Sequence, residues 1–286
     1  MAQDPLPVRG LHEFLICALT EFDGLCGFRR PEEAADLLEA LRVRALDGYV
    51  GTLRTAPPEQ ALRTVLTEVL GARKPFMAEV VDKAAAAARR LGSVPGPFQE
   101  ACARYAWIAR HHPGDAGVLA AMLLNHVRLR PGEALHLGAG VPHAYLRGTG
   151  VEIMANSDNV LRCGLTTKHV DVPELLRVVD FRAAEPAVLT PAATDDGEER
   201  YPVLAGEFAL SRYRISGDTA PSLPPSGRPQ ILLCTVGEAV VTEAGGGSLT
   251  LGRGQSVYLP ATSGECRLTG SDAEVFRATT GLSAAY

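Results

Sequence analysis

The period of the apolar positions changes twice along the chain. Leu15 to Ala18 form a short apolar run that reads as a strand, and the Asp23-Gly24 and Cys26-Gly27 steps are expected to break the stretch after it. The period then becomes helical. In "RRPEEAADLLEALRVRAL", Pro31 and two acids suit a helix start, and Leu37, Leu38, Leu41 and Leu46 recur at helix spacing. "PPEQALRTVLTEVL" repeats the scheme with Leu62, Leu66, Val69 and Leu70, and "KPFMAEVVDKAAAAARRLG" and "GPFQEACARYAWIARHHPGD" follow. The pattern predicts four helices, each opened by a proline, over residues 29–111.

Beyond Pro113 the apolar runs shorten to strand length and are cut by Pro-Gly, Gly-Ala-Gly and Gly-Thr-Gly steps, so the region after it reads as strands and turns from Gly117 onwards. "PELLRVVDF" predicts one short helix, and "RAAEPAVLTPAATDDGEER", rich in Ala, Pro and acids, reads as a linker over 183–200. Strand patterning resumes over 201–286, where Gly245 to Gly247 suit a hairpin and lack the spacing of a phosphate loop. A weak repeat links the two β regions. "LRPGEALHLGAGVPH" (Leu129 to His143) aligns without gaps on "LGRGQSVYLPATSGE" (Leu251 to Glu265), each with the form strand, Gly turn, strand, tight turn. The expected fold is therefore mainly β with an α-helical insert: two small related β-barrels or jelly rolls, the first assembled from 1–28 and 112–182 around the helical insert 29–111, the second from 201–286.

Composition narrows the function classes. The chain has 286 residues, 46% of them hydrophobic, enough for substantial cores. A net charge of -5 and the absence of any Lys/Arg-rich run leave no basic field for nucleic acid. No apolar window reaches membrane-spanning length, and the first residues lack a cationic start followed by an apolar run, so a cytoplasmic protein is expected. The six cysteines are scattered and form no C-x-x-C pair, which predicts buried thiols. Only Lys74, Lys83 and Lys168 are lysines among 28 Lys+Arg, a weak hint that an ammonium is needed where it is kept.

Candidate chemistry centres on "GAGVPHAYLRGTG", in which His143 sits in a Gly- and Pro-bounded turn between two strand-like runs. A neutral imidazole on a rigid turn is a good metal ligand, but a catalytic zinc normally takes three protein ligands and an open position. The remaining histidines do not complete such a set. His111 and His112 read as surface residues at a helix end, His169 as a solvated loop residue, and His136 as facing away from the side on which Leu135 and Leu137 pack. After the turn come Tyr145, Glu152, Asn156, Asp158, Asn159, Arg162, Thr167 and Lys168, a candidate wall of acids, amides and cations around a small polyol or phosphate ester.

Taken whole, "HLGAGVPHAYLRGTGVEIMANSDNVLRCGLTTKHVDVPELLRVVDF", with "LTEFDGLCGFR" and "HHPGDAGVLAAMLLNHVRLRPGEA" before it, resembles type I mannose-6-phosphate isomerase, a zinc enzyme of the cupin class, from about Leu15 to the end. The resemblance implies two cupin-like barrels, the second metal-free, and one zinc ion held in part by His143. It implies Arg162, Glu152 and Lys168 as catalytic residues and Tyr145 and Asp158 as substrate-binding ones. The implied reaction interconverts mannose 6-phosphate and fructose 6-phosphate by moving a proton between C2 and C1 through a cis-enediol. Arg162 suits the oxyanion or the proton relay, and Glu152 is the preferred acid, with the identity of the base left open.

The chain departs from the family at its other zinc ligands. No Gln-x-His precedes the helical block, and setting the family's "HKPE" segment on "LHEF-L-I-C-A-L" puts Phe14 where a ligand glutamate belongs. Glu13 is one residue off, and alternation along a strand would send it to the opposite face. The first barrel is accordingly expected to be incomplete, with exposed edges open to self-association unless the chain stays monomeric. The alternatives are a truncated isomerase, a non-catalytic paralogue binding a sugar phosphate or a protein partner, and an irregular metal site rebuilt from His12, Glu13 and His143.

Overall fold

The computed structural model describes residues 13–156, 160–203, 205–217, 220–223 and 227–281. Strands β1 (Phe14–Ala18) and β2 (Phe22–Phe28) lead into the helical insert: α1 (Pro31–Ala40), a 3-10 turn (Arg44–Leu46), α2 (Asp47–Thr55), α3 (Pro58–Gly71), α4 (Lys74–Gly92), α5 (Gln99–His111) and α6 (Gly117–Met122). The chain returns through β3 (Leu124–Leu129), β4 (Ala134–Leu137), β5 (His143–Arg147) and β6 (Gly150–Met154) to the short helix α7 (Val172–Val178). Then follow β7 (Val188–Leu189), β8 (Ala192–Ala193), β9 (Glu198–Arg200), β10 (Ala209–Ile215), β11 (Ser222–Leu223), β12 (Gln230–Glu243), β13 (Ser248–Gly252), β14 (Ser256–Leu259) and β15 (Cys266–Thr279). The protein is mainly β with an α-helical insert.

Three expectations about local structure are corrected. The Asp23-Gly24 and Cys26-Gly27 steps do not end a strand. β2 runs through both, and the chain absorbs Gly27, at φ +64, as an irregularity against β3 between Cys26 and Phe28. Gly117–Met122 is a helix rather than a strand, because its all-apolar sequence is buried all round and carries no period to distinguish the two. The stretch 183–200 is no bare linker: β7 pairs with β4, and β8 and β9 extend the sheet of the second β unit.

The first β unit packs a four-stranded sheet, β6-β1-β4-β7, against a three-stranded one, β3-β2-β5. Ile16, Ala18, Leu135 and Leu137 on one side meet Phe22, Cys26, Val127 and Leu129 on the other. Neither sheet closes into a barrel among the described residues. On the opposite face of β1, Leu15 and Cys17 join Ala134, Tyr201, Phe208 and Phe276 in a second cluster that ties this unit to the next. Burial on both faces explains why β1 reads as an unbroken apolar run instead of alternating. The Tyr201 hydroxyl donates to the Gly132 carbonyl at 3.0 Å across this junction.

The second unit is one eight-stranded antiparallel sheet built on the long strands β12 and β15, with Tyr213, Leu232, Leu251, Leu268 and Val275 in its core. The sequence repeat is structural. Ala134–Leu137 and Ser256–Leu259 are the matching short strands, each entered through a glycine turn at positive φ, Gly132 and Gly254. The helical insert buries Leu37, Leu41, Leu46, Leu62 and Leu66 and continues into α6 and α7. Arg29 fastens it to the sheets: its buried guanidinium donates to the Leu124 carbonyl at 2.8 Å and to the Tyr105 hydroxyl at 2.6 Å.

Candidate active site

A cavity of 620 Å³ opens where the first β unit meets the helical insert. β5 and β6 form one wall with His143, Tyr145 and Glu152; the segment after β6 forms a second with Arg162, Cys163 and Thr166; α5, the turn after it and α6 close it with Trp107, His112 and Gly117. A volume of this order suits a small ligand.

His143 begins β5, where Cys26 of β2 is its cross-strand partner. Its Nδ1–H donates to the Val141 carbonyl at 3.0 Å, which leaves Nε2 as the nitrogen with the lone pair in the neutral ring. Two residues on, alternation brings Tyr145 to the same face, with ring centroids 5.7 Å apart. The Tyr145 hydroxyl donates to Oε1 of Glu152 at 2.5 Å, joining β5 to β6. Burial first, and the Glu152 carboxylate second, push this phenol well above the usual tyrosine range, so it stays a proton donor at neutral pH.

Of the polar wall expected from the sequence, Tyr145, Glu152 and Arg162 come together with His143 around the cavity. Lys168 is exposed and stands apart from the cavity lining, as do Asn156 and Thr167. Asp158 and Asn159 lie outside the described residues, and so does His12. Sequence reasoning did not find Trp107, Cys163 or the lining role of His112. His112, expected at the surface, is half-buried and faces the cavity, because the chain turns inward at Pro113 to start α6. Burial pushes the Cys163 thiol up to about 11, with Asp115 adding to the shift, so it is a neutral thiol at physiological pH.

Glu13 pairs with Nε2 of His136 at 3.0 Å on the face of the sheet opposite Ile16, Leu135 and Leu137. On the other face, the Phe14 ring lies 5.4 Å from the His143 ring. The irregular site of His12, Glu13 and His143 is therefore ruled out as a cluster, since Glu13 points away from His143. For zinc, His143 offers one suitable nitrogen, oriented by a carbonyl as metal-binding imidazoles are. The described residues hold no group of three His, Cys, Asp or Glu side chains able to bind a metal ion. They fit one ligand position and not a ligand set.

The histidine turn opening on a largely apolar cavity with a few polar groups, beside two related β units and a helical insert, is an arrangement of the cupin class. The chain is 32% identical over 258 residues to the mannose-6-phosphate isomerase of Escherichia coli (strain K12), and 30% identical over 275 residues to mannose-6-phosphate isomerase 1 of Arabidopsis thaliana. These matches take in 90% and 91% of this chain but 63% and 62% of the relatives, so it spans less than two thirds of their length. Among solved structures, a variant of phosphomannose isomerase from Salmonella typhimurium superposes with a TM-score of 0.81 at 30% identity, over 95% of this chain and 68% of that one. A zinc-bound mannose 6-phosphate isomerase gives 0.80 at 30% identity, over 95% and 66%. No family model matches the chain. The chain belongs to the mannose-6-phosphate isomerase family, whose members include this zinc-bound enzyme.

Proposed function

We propose that the cavity binds mannose 6-phosphate and interconverts it with fructose 6-phosphate. The observation that carries this reading is the convergence of His143, Tyr145, Glu152 and Arg162 on one cavity. Aldose-ketose isomerisation needs a proton taken from C2, an enediol whose oxygens pass charge between O1 and O2, and a proton returned at C1. Arg162 supplies a cation at the cavity wall for the developing oxyanion, and Glu152 is the carboxylate able to carry a proton. Tyr145, held protonated, orients Glu152 through their hydrogen bond. No step is routed through zinc, for which the described residues provide only His143.

The test is formation of fructose 6-phosphate from mannose 6-phosphate by the purified chain, compared with Arg162→Ala. A second reading, a sugar-phosphate-binding member without turnover, is favoured by Phe14 standing against His143. Saturable binding without conversion would support it. The reading assigns the chain to carbohydrate metabolism in the cytoplasm, a compartment that suits six free thiols. Among the described residues no helix is long and apolar enough to cross a membrane.

A further inference from the structure

Asp115, in the turn between α5 and α6, uses both carboxylate oxygens on backbone N–H groups of two separate segments. Oδ1 accepts from Gly117 at 2.7 Å, and Oδ2 accepts from Leu165 at 3.0 Å. Gly117 opens α6, and Leu165 follows Arg162 by three residues in the irregular stretch that forms one cavity wall. Where the carboxylate joins them, the two backbones are almost in contact. A Cβ on Gly164 would lie 2.6 Å from the Gly117 Cα, and one on Gly117 would lie 2.7 Å from the Leu165 nitrogen. Gly164 and Leu165 have φ of +137 and +55, the second a left-handed backbone on a γ-branched residue. Chain in such a conformation persists only where its surroundings hold it, and such points cluster at functional sites.

We propose that Asp115 is a positioning residue for the candidate active site: its carboxylate pins the Arg162-bearing segment to the start of α6 and so fixes the guanidinium at the cavity wall. The proposal rests on the reading of Arg162 as the oxyanion-facing group. An ionised carboxylate suits the task because it accepts from two N–H groups at once with charge-assisted bonds. An asparagine cannot do both, since its NH2 group would confront one of the two donors. Sequence spacing hides the link, because Asp115 and Leu165 are brought together only by the return of the chain through β3 to β6.

The experiment pairs hydrogen exchange with a double-mutant cycle on Asp115→Asn and Arg162→Ala in the full chain. Exchange of the Leu165 amide should accelerate at least about tenfold in Asp115→Asn, while amides in the middle of α4 keep the parental rate. Fructose 6-phosphate formation should fall in each single variant, and the double variant should be within about threefold of Arg162→Ala alone. A purely structural role would lower thermal stability but leave the two effects multiplicative. Gly164→Ala, which keeps Asp115 but forces the same contact apart, should reproduce the loss, and it replaces Asp115→Asn if that variant fails to fold. If the parent binds mannose 6-phosphate without turnover, the cycle is read in calorimetric affinity. A parent that neither binds nor converts it sinks the isomerase reading, and the exchange arm still decides the anchoring. An unchanged Leu165 exchange rate, or multiplicative effects, overturns the proposal.

Discussion

The Phe14 ring lies 5.4 Å from the imidazole of His143, tilted by 54°, while Glu13, one residue earlier, points through the other face of the sheet to His136. Strand alternation makes the two positions exclusive. An aromatic pair of this kind contributes about 0.5–1.5 kcal/mol beyond the area it buries, so Phe14→Leu should cost about that much stability in urea unfolding. Phe14→Glu should instead bring a carboxylate to the face that carries His143. It should bind zinc at least about tenfold more tightly than the parent in a competition titration, with the gain removed by adding His143→Ala. Equal zinc affinity in parent and Phe14→Glu would show that Phe14 does not stand at a ligand position.

The Tyr145 to Glu152 hydrogen bond links two strands along the cavity lining. Tyr145→Phe removes only the donor and should weaken mannose 6-phosphate binding by about fivefold, in line with loss of one modest hydrogen bond. Glu152→Gln keeps an acceptor for Tyr145 but cannot carry a proton. Its kcat should drop by about 10²-fold or more with little change in affinity. Equal losses in both variants would place Glu152 in binding rather than in proton transfer.

Arg162 reaches the cavity from irregular chain rather than from a strand. Arg162→Lys keeps the charge but loses the planar fork, and should lower kcat by about 10²-fold. Full activity in Arg162→Lys would reduce its role to a point charge.

His126 and Asp23 make a buried pair at 3.2 Å, in which Asp23 is also held by Arg104 at 3.1 Å. Burial lowers the His126 pKa and outweighs the pull of Asp23, with Arg104 lowering it further and Glu100 opposing. The folded state therefore favours the neutral ring. Its contribution to stability is complete above the ordinary histidine pKa of about 6.5 and is lost as pH falls through the lower folded value. Urea midpoints between pH 7 and pH 5 should decline more steeply for the parent than for His126→Gln. Parallel declines would mean that this pair does not set the acid response.

Elements whose local pattern and packing agreed were legible from the sequence. The prolines that open α1, α3 and α4, and the leucines of α1 and α3, predicted those helices because the proline start, helix propensity and burial coincide there. The face-switching of Glu13 and Phe14 was legible for the same reason, since a strand has a strict period of two. α6 was not, because an apolar stretch buried on every side carries no period. The contributions of Trp107, His112 and Asp115 to the cavity region were also hidden. They come from the helical insert, and only the tertiary path through β3 to β6 brings that insert against the Arg162 segment. Lys168, which follows Arg162 closely in sequence, stands apart from the cavity lining, a separation that spacing along irregular chain does not reveal.

Proton NMR of mannose 6-phosphate incubated with the purified chain in zinc-containing buffer decides whether the cavity turns this sugar over. Fructose 6-phosphate signals should grow at the expense of mannose 6-phosphate, and should be lost in Arg162→Ala. An unchanged mannose 6-phosphate spectrum over a sample that remains folded would contradict turnover by this cavity.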